Sequence, residues 1–378
     1  MKKVILAPDS FKGTMSSIKI CNIMEEVIKK HIPDIDVRKI PVADGGEGTV
    51  DCFLEALGGR KIKVEVSGPF FNEINSFYGI LPDNNTAVVE MAAASGLPLV
   101  GDMKDPKITT TYGVGELIKH AVLFSGCRKI IIGLGGSCTT DGGAGMASAL
   151  GVKFYDRNNE EFIPVGGTLG DISRIDASGL LKEIKDCAIL GMCDVDNPLF
   201  GKNGAAYIYG PQKGADHESV LLLDKGLEHL SNQLIKHFNL DVSEIPGAGA
   251  AGGLGAGILA FLNGTLESGI ETVLDTVKFD DLLKDAKIVF TGEGKIDGQS
   301  LRGKVVAGVA GRARKKNVPV IAVVGDIGDD TDGIYEAGVS AIVSINRVAV
   351  PFSVAKGRCE SDLEKTMDTI MRLLKLLI

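Results

Sequence analysis

Apolar and polar positions alternate along this chain with a period that changes twice. At the start, Val4 to Ala7 is a short continuous apolar run, and Ile20, Ile23, Met24, Val27 and Ile28 recur at helical spacing. Val37 to Val42 reads as a second strand, and Val50, Phe53, Leu54 and Leu57 form a helical face that Gly58-Gly59 stops. This β-α-β-α order predicts the beginning of a parallel sheet. From Lys61 the pattern shortens: Lys61 to Val66, Asn75 to Leu81 and Ala87 to Glu90 are strand-like and are separated by Gly68-Pro69 and Pro82 to Asn85, which suits an antiparallel or mixed sheet. A helix from Gly113 to Phe124, an apolar strand at Ile130, strands at Gly151 to Tyr155 and Ala188 to Met192, and a long helix from His217 to Phe238 follow.

Beyond Phe279 the simple alternation returns. Ile288 to Thr291, Val318 to Val324 and Ala341 to Ile345 predict three more buried strands, with helices near Lys304 to Arg314 and Thr331 to Ala337 between them. Leu363, Met367, Ile370 and Leu374 share one face of a closing helix. The expected architecture is α/β: a five-stranded doubly wound parallel sheet assembled from both ends of the chain (1–60 plus 281–378), interrupted by an inserted α/β domain with a mixed sheet (61–280).

Composition narrows the function classes. No stretch of about 18 uninterrupted apolar residues is available to span a bilayer. The opening Met-Lys-Lys runs straight into Val4 and Pro8-Asp9, which reads as a first strand rather than a secretory signal. The seven cysteines are odd in number, scattered and free of C-x-x-C spacing, so neither a disulfide framework nor a structural zinc site is expected, and a reducing cytoplasm fits. A net charge of −8, with no basic stripe interleaved with aromatics, disfavours nucleic acid as a partner. An anionic ligand must therefore be held locally. Nothing in the chain sets an oligomeric state.

Candidate chemistry lies where strands empty into glycine-rich loops, because ligands of such sheets bind beyond the carboxyl ends of the strands. Gly133 to Gly145 reads Gly-Leu-Gly-Gly-Ser-Cys-Thr-Thr-Asp-Gly-Gly-Ala-Gly directly after an apolar run. Glycine permits close main-chain approach to an anion, and Ser137, Thr139 and Thr140 add neutral donors, so this loop suits phosphate. Asp44-Gly-Gly-Glu-Gly48 and Gly292-Glu-Gly-Lys-Ile-Asp297 repeat the pairing of glycine with acid. Asp9, Ser10 and Lys12 end the first strand, where Lys12 can neutralise a phosphate or carboxylate; a plain turn at Pro8-Asp9 and Gly13 is the structural alternative. Glu293 and Asp297 suit a divalent metal with oxygen ligands. Asp44 and Glu47 have capping-box spacing, and Asp194, in Cys193-Asp-Val-Asp-Asn-Pro198, fits an Asx turn as well as a catalytic acid.

Two fingerprints are near misses. Gly247 to Gly252 satisfies G-x-G-x-x-G but follows a polar connector where a dinucleotide fold needs a strand. Gly298 to Lys304 has the glycines and lysine of a P-loop, but Val305 replaces the Ser/Thr that ligates magnesium, and the preceding strand ends too early. Hydroxyl and glycine loops, acids for a metal and lysines, without a nucleophile-histidine pattern, favour phosphoryl transfer.

Taken together, Ala7-Pro-Asp-Ser-Phe-Lys-Gly13, Pro41-Val-Ala-Asp-Gly-Gly-Glu-Gly-Thr49, Gly133 to Met146, Cys193 to Pro198, Gly210-Pro-Gln-Lys-Gly214, Gly249 to Gly255 and Gly292 to Ser300 closely resemble the type I glycerate kinases, in the family's order. The departure is Cys138, where a small residue such as Ala is expected. The resemblance implies a flavodoxin-like domain interrupted by a second α/β domain, and ATP- and Mg²⁺-dependent phosphorylation of D-glycerate at an interdomain cleft, with 2-phosphoglycerate as product (glycerate 2-kinase). Under it, the glycerate carboxylate is expected at Lys12 and Arg302 with Asp9 and Ser10 alongside, and Asp194 or Asp44 accepts the hydroxyl proton. Nucleotide phosphates are expected on Gly135, Gly136, Ser137, Thr139, Thr140, Asp141, Gly142, Gly143 and Lys213, and Mg²⁺ on Glu293 and Asp297. Formation of 3-phosphoglycerate, a kinase for another hydroxy acid or polyol, and a non-catalytic binding protein are the alternatives.

Overall fold

A computed structural model describes residues 3–43, 45–301 and 304–376. The chain divides into two units: one comprises the described residues of Met1–Ala43, Asp51–Gly58 and Ile270–Ile378, the other those of Asp44–Val50 and Gly59–Gly269.

In the first unit a five-stranded parallel sheet runs in the order Ala341–Ser344, Val320–Val324, Ile288–Gly292, Lys3–Pro8, Asp36–Lys39. Counted from the Asp36 edge in chain order this is 2-1-3-4-5, the doubly wound order of the flavodoxin type, drawn from both ends of the chain. Val4 and Leu6 pack under the Ser17–His31 and Cys359–Leu376 helices with Ile20, Met24, Leu363 and Met367, while Ile5 and Ala7 on the other face are equally buried. Both faces are thus covered, and this is why the strands read as continuous apolar runs rather than alternating ones. Ser16 caps the first of these helices by accepting the Lys19 N–H at 3.3 Å. Regular strand ends at Lys39, yet the predicted continuation still pairs with the first strand, Ile40 N–H donating to Leu6 and Val42 N–H to Pro8.

The second unit is built on a six-stranded mixed sheet. Thr265–Glu267, Ala188–Met192, Lys129–Gly133 and Thr86–Glu90 are parallel, and Glu73–Ile80 and Arg60–Ser67 add an antiparallel edge. Lys153–Tyr155 is a strand as expected but belongs to a separate three-stranded antiparallel sheet with Glu161–Phe162 and Arg174–Asp176. Thr265–Glu267, with its exposed, polar ends, carried no readable strand signal. The Ala250–Leu262 helix is broken near its start by left-handed backbone at Ala251, Gly252 and Gly253, so the G-x-G-x-x-G string opens no dinucleotide-type turn.

Ile132 is completely buried in the second unit's core, whereas Leu373 is 59% exposed on the last helix. Ile132→Ala is expected to cost about 2–5 kcal/mol and Leu373→Ala under about 0.5 kcal/mol. Urea unfolding of the two variants checks the contrast.

Candidate active site

In the second unit the strand register aligns four carboxyl ends, Glu90 opposite Gly133, Gly133 opposite Met192, and Met192 opposite Glu267. The loop that leaves Gly133 meets the Gly45–Gly46 segment backbone to backbone. Gly135 N–H donates to the Gly45 carbonyl at 2.9 Å, a Cβ on Gly133 would meet that same oxygen at 2.3 Å, and one on Gly135 would meet the Gly46 backbone at 2.7 Å. Only glycine fits there. Glu90, which sequence reasoning left as the end of an apolar strand, is buried at this rim and accepts the Val50 N–H at 2.7 Å.

The expected phosphate loop divides into an open and a closed half. Gly135 and Gly136 are accessible and Ser137 is 6% exposed; the loop is pinned by Leu97 N–H to the Gly136 carbonyl and by Cys138 N–H to the Ser95 carbonyl. The amides of Gly136 and Ser137 take no part in those bonds. Thr139, Thr140, Asp141, Gly142 and Gly143, expected beside the phosphates, lie instead in the interior. The Asp141 carboxylate accepts four bonds, from Thr111 N–H and hydroxyl and from the amides of Gly143 and Gly145, so it organises the loop. Burial pushes its pKa up against the pull of those donors. A Cβ at Gly142 would strike Leu230 at 2.2 Å. A hydroxyl-and-glycine string serves equally to satisfy buried backbone and to bind an anion.

Lys213 is also inside. Its ammonium donates to the Thr139 carbonyl at 2.6 Å, and burial brings its pKa down to about 8 although Cys138 and Asp141 oppose the shift. The Thr139 and Thr140 hydroxyls beside it are buried without a hydrogen-bond partner in the protein. Cys138, the departure from the family pattern, approaches the Ser95 carbonyl at 3.1 Å, and burial pushes its thiol up to about 12, so it is an inert packing group. Asp194 is exposed at the end of its strand and accepts the Gly269 N–H at 2.7 Å and the Ser268 hydroxyl at 3.3 Å. It therefore holds the entry to the Gly269–Thr276 helix, a bond that the Asx-turn alternative did not include.

In the first unit Asp9, Ser10, Lys12, Glu293 and Asp297 share the carboxyl rim of the parallel sheet. Asp9 N–H donates to the Gly292 carbonyl at 2.8 Å, Ser10 N–H to the Asp9 carboxylate at 2.6 Å, and Gly294 packs on the Phe11–Lys12 backbone. Lys12 itself is exposed. Glu293 is 6% exposed, and burial raises its pKa against the Ser300 hydroxyl bond and Lys304, whose ammonium is 3.9 Å away. Ser300, wholly buried and not singled out in the sequence, also accepts the Asp297 backbone N–H at 3.2 Å and so joins the Glu293 carboxylate to the Asp297 main chain. Among the described residues no group of three or more His, Cys, Asp or Glu could hold a metal. Two carboxylates, one with a buried Oε1 that has no partner, nevertheless fit Mg²⁺, which takes one or two carboxylates and completes its shell with water and phosphate. Asp44 and Arg302 lie outside the described residues. No helix among the described residues is long and apolar enough to cross a membrane.

The profile of the Glycerate kinase family matches residues 4–375. A glycerate kinase of Bacillus cereus (strain ATCC 10987 / NRS 248) is 45% identical over 375 residues, covering 99% of this chain and 98% of that one. A glycerate 2-kinase of Escherichia coli (strain K12) is 46% identical over 344 residues, 91% of this chain and 90% of that one. A crystal structure from Salmonella typhimurium LT2, assigned as glycerate kinase 2, superposes with a TM-score of 0.88 at 41% identity, covering 99% of this chain and 98% of that chain.

Lys213 has a measurable pH signature. Between about 8 and its ordinary 10.5 the unfolded chain holds a proton that the folded chain does not, so stability rises with pH through that window and the cost of the buried ammonium is fully present below it. Relative to Lys213→Met, the wild type is expected to gain on the order of 3 kcal/mol from pH 8 to 10.5. Urea midpoints of the two proteins along that range check it; a constant gap would mean that Lys213 titrates normally.

Proposed function

The chain belongs to the glycerate kinase family, and from that premise we propose that it transfers the γ-phosphoryl group of ATP to D-glycerate to give 2-phosphoglycerate. The observation that carries this reading is the likeness along nearly the whole chain to an E. coli protein named glycerate 2-kinase, 46% identical. The amides of Gly136 and Ser137 receive phosphate oxygens, and Gly135 keeps the approach free of a side chain. Thr139, Thr140, Asp141, Gly142, Gly143 and Lys213 hold that loop from behind rather than touching the nucleotide. Lys12, exposed at its rim, pairs with the glycerate carboxylate, with Asp9 and Ser10 beside it.

Glu293 and Asp297 hold Mg²⁺ when it is bound, and the ion then offsets phosphate charge. Asp194 accepts the proton of the attacking hydroxyl, while its hydrogen bond from Gly269 keeps the carboxylate oriented. Such a transfer asks the protein mainly for position and charge neutralisation, and this is consistent with a site made of backbone amides, carboxylates and a few cations.

Proton-coupled ³¹P NMR of the protein with ATP, Mg²⁺ and D-glycerate tests the reaction. The phosphorus of 2-phosphoglycerate, next to one C–H, is expected as a doublet; a triplet would mean transfer to the terminal CH₂ oxygen, and no new monoester signal would remove the activity. For the base, Asp194→Asn keeps an oxygen for the Gly269 N–H and is expected to lower kcat by about 10²–10⁴-fold with little change in Tm. A variant with nearly full kcat would eliminate Asp194 as the proton acceptor.

A further inference from the structure

Arg60–Ser67 is the outermost strand of the six-stranded sheet, paired on one side with Glu73–Ile80 and on the other with no described strand. The pairing runs without a bulge from Arg60 opposite Ile80 to Ser67 opposite Glu73, whereas the strand at the opposite edge, Thr265–Glu267, has only three residues. The turn of this hairpin fixes the phase of its ladder, because Gly68 N–H donates to the Asn72 carbonyl at 2.6 Å. Bonded and non-bonded pairs alternate in an antiparallel ladder, so Val66, Val64 and Ile62 bond inward while the N–H and C=O groups of Ser67, Glu65 and Lys63 point away from Glu73–Ile80. Ser67 bears this out: its N–H donates outward to Glu116 Oε2 at 2.6 Å, on the Tyr112–Leu123 helix. Lys63 and Glu65 follow it along the edge, each with an exposed side chain.

A second observation concerns charge. Ile62, Val64 and Val66 pack toward the core, which puts Lys63 and Glu65 together on the solvent face. Glu65 lies beside Glu73 there, and the Glu65 carboxylate holds the Glu73 carboxyl above its ordinary range. Among the described residues no basic side chain forms an ion pair with either glutamate, and no acidic one with Lys63. The edge therefore presents main-chain donors and acceptors together with charges of both signs that the fold itself does not neutralise.

We propose that this edge pairs with the same edge of a second copy of the chain, antiparallel about a two-fold axis at Val64, joining the two six-stranded sheets into one. In that register Lys63 lies opposite the partner's Glu65 and Glu65 opposite the partner's Lys63, and both pairs have outward main-chain groups with which to bond. Other registers fail for stated reasons. An axis at Lys63 or Glu65 sets that residue against itself, one at Ile62 sets Lys61 against a second lysine, and one at Val66 requires the Ser67 N–H that Glu116 already holds. Lysines on an edge ordinarily discourage pairing with a like edge, and Glu65 turns that repulsion into attraction in the Val64 register alone. A two-fold contact uses one patch on both subunits, and alternation of Lys63 and Glu65 makes this patch complementary to itself. Glu116, Lys119 and Leu123 recur at helical spacing on the helix that reaches this edge, and extend the contact beyond the strands.

Sedimentation velocity of the full-length protein tests the pairing without reference to any enzymatic activity. The contact is short, so the wild type is expected to dimerise with a dissociation constant on the order of 10 µM. Lys63→Glu sets glutamate against glutamate and Glu65→Lys sets lysine against lysine; each is expected to weaken the dimer about tenfold or more with an unchanged Tm, since both positions are exposed. The double variant Lys63→Glu/Glu65→Lys restores opposite charges and is expected to return the constant to within a few-fold of the wild type. Amide hydrogen exchange locates the contact: Lys63 and Glu65 are expected to exchange more slowly as concentration rises. A wild type that stays monomeric up to about 300 µM would overturn the proposal. So would a dimer that both single variants leave intact, a double variant no better than the singles, or a dimer in which the Lys63 and Glu65 amides exchange as in the monomer.

Discussion

The second unit depends on main chain meeting main chain where side chains are excluded. At the rim of the mixed sheet the Gly45–Gly46 backbone lies on Gly133 and Gly135 so closely that any Cβ would collide with a carbonyl or amide. One layer deeper, Gly142 and Gly143 meet the Gly252–Gly257 stretch in the same way, with Gly142 N–H donating to the Gly252 carbonyl. These contacts bring strand ends and loop amides together without intervening side-chain bulk. Close approach of backbone to backbone is the same property that lets backbone approach an anion.

That closeness leaves polar groups to be satisfied from within. Asp141 answers four donors, Glu90 answers the Val50 amide, and Lys213 answers the Thr139 carbonyl, all under cover. A buried charge is tolerated when hydrogen bonds replace its hydration, so these residues cost less than their burial suggests and hold the loop in one arrangement. With a net charge of −8 the chain has no broad positive field. Its exposed glycine loop in one unit and the exposed Lys12 and Lys304 in the other are local features rather than parts of such a field.

The two carboxylates of the first unit follow the same logic. Glu293 is carried inward by a wholly buried strand, while Asp297 stays partly exposed three residues beyond Gly294, and the Ser300 hydroxyl in the following 3₁₀ turn bonds the Glu293 carboxylate and the Asp297 backbone N–H. A serine three residues after an aspartate is ordinary in sequence. Its importance comes from being buried where one hydroxyl reaches both the Glu293 carboxylate and the Asp297 main chain, which local pattern does not report.

Local chemistry wrote much of this protein plainly. Apolar runs of four to six residues, helical spacing at Ile20 to Ile28 and Leu363 to Leu374, and glycine stops predicted the five-stranded parallel sheet and the mixed sheet, because burial on both faces or on one leaves different periods in the chain. The ordered set of glycine-acid motifs was enough for the family. Tertiary structure alone decided which members of those motifs face solvent. Thr139 to Gly143 and Lys213 turn inward, Asp194 holds a helix entry, and Glu90, Ser300 and Lys304 become part of the rims, because exposure and hydrogen-bond partners are set by segments distant in sequence such as Ser95, Thr111 and Leu230. A short polar string specifies what its groups can donate or accept; only the packing around it determines to whom.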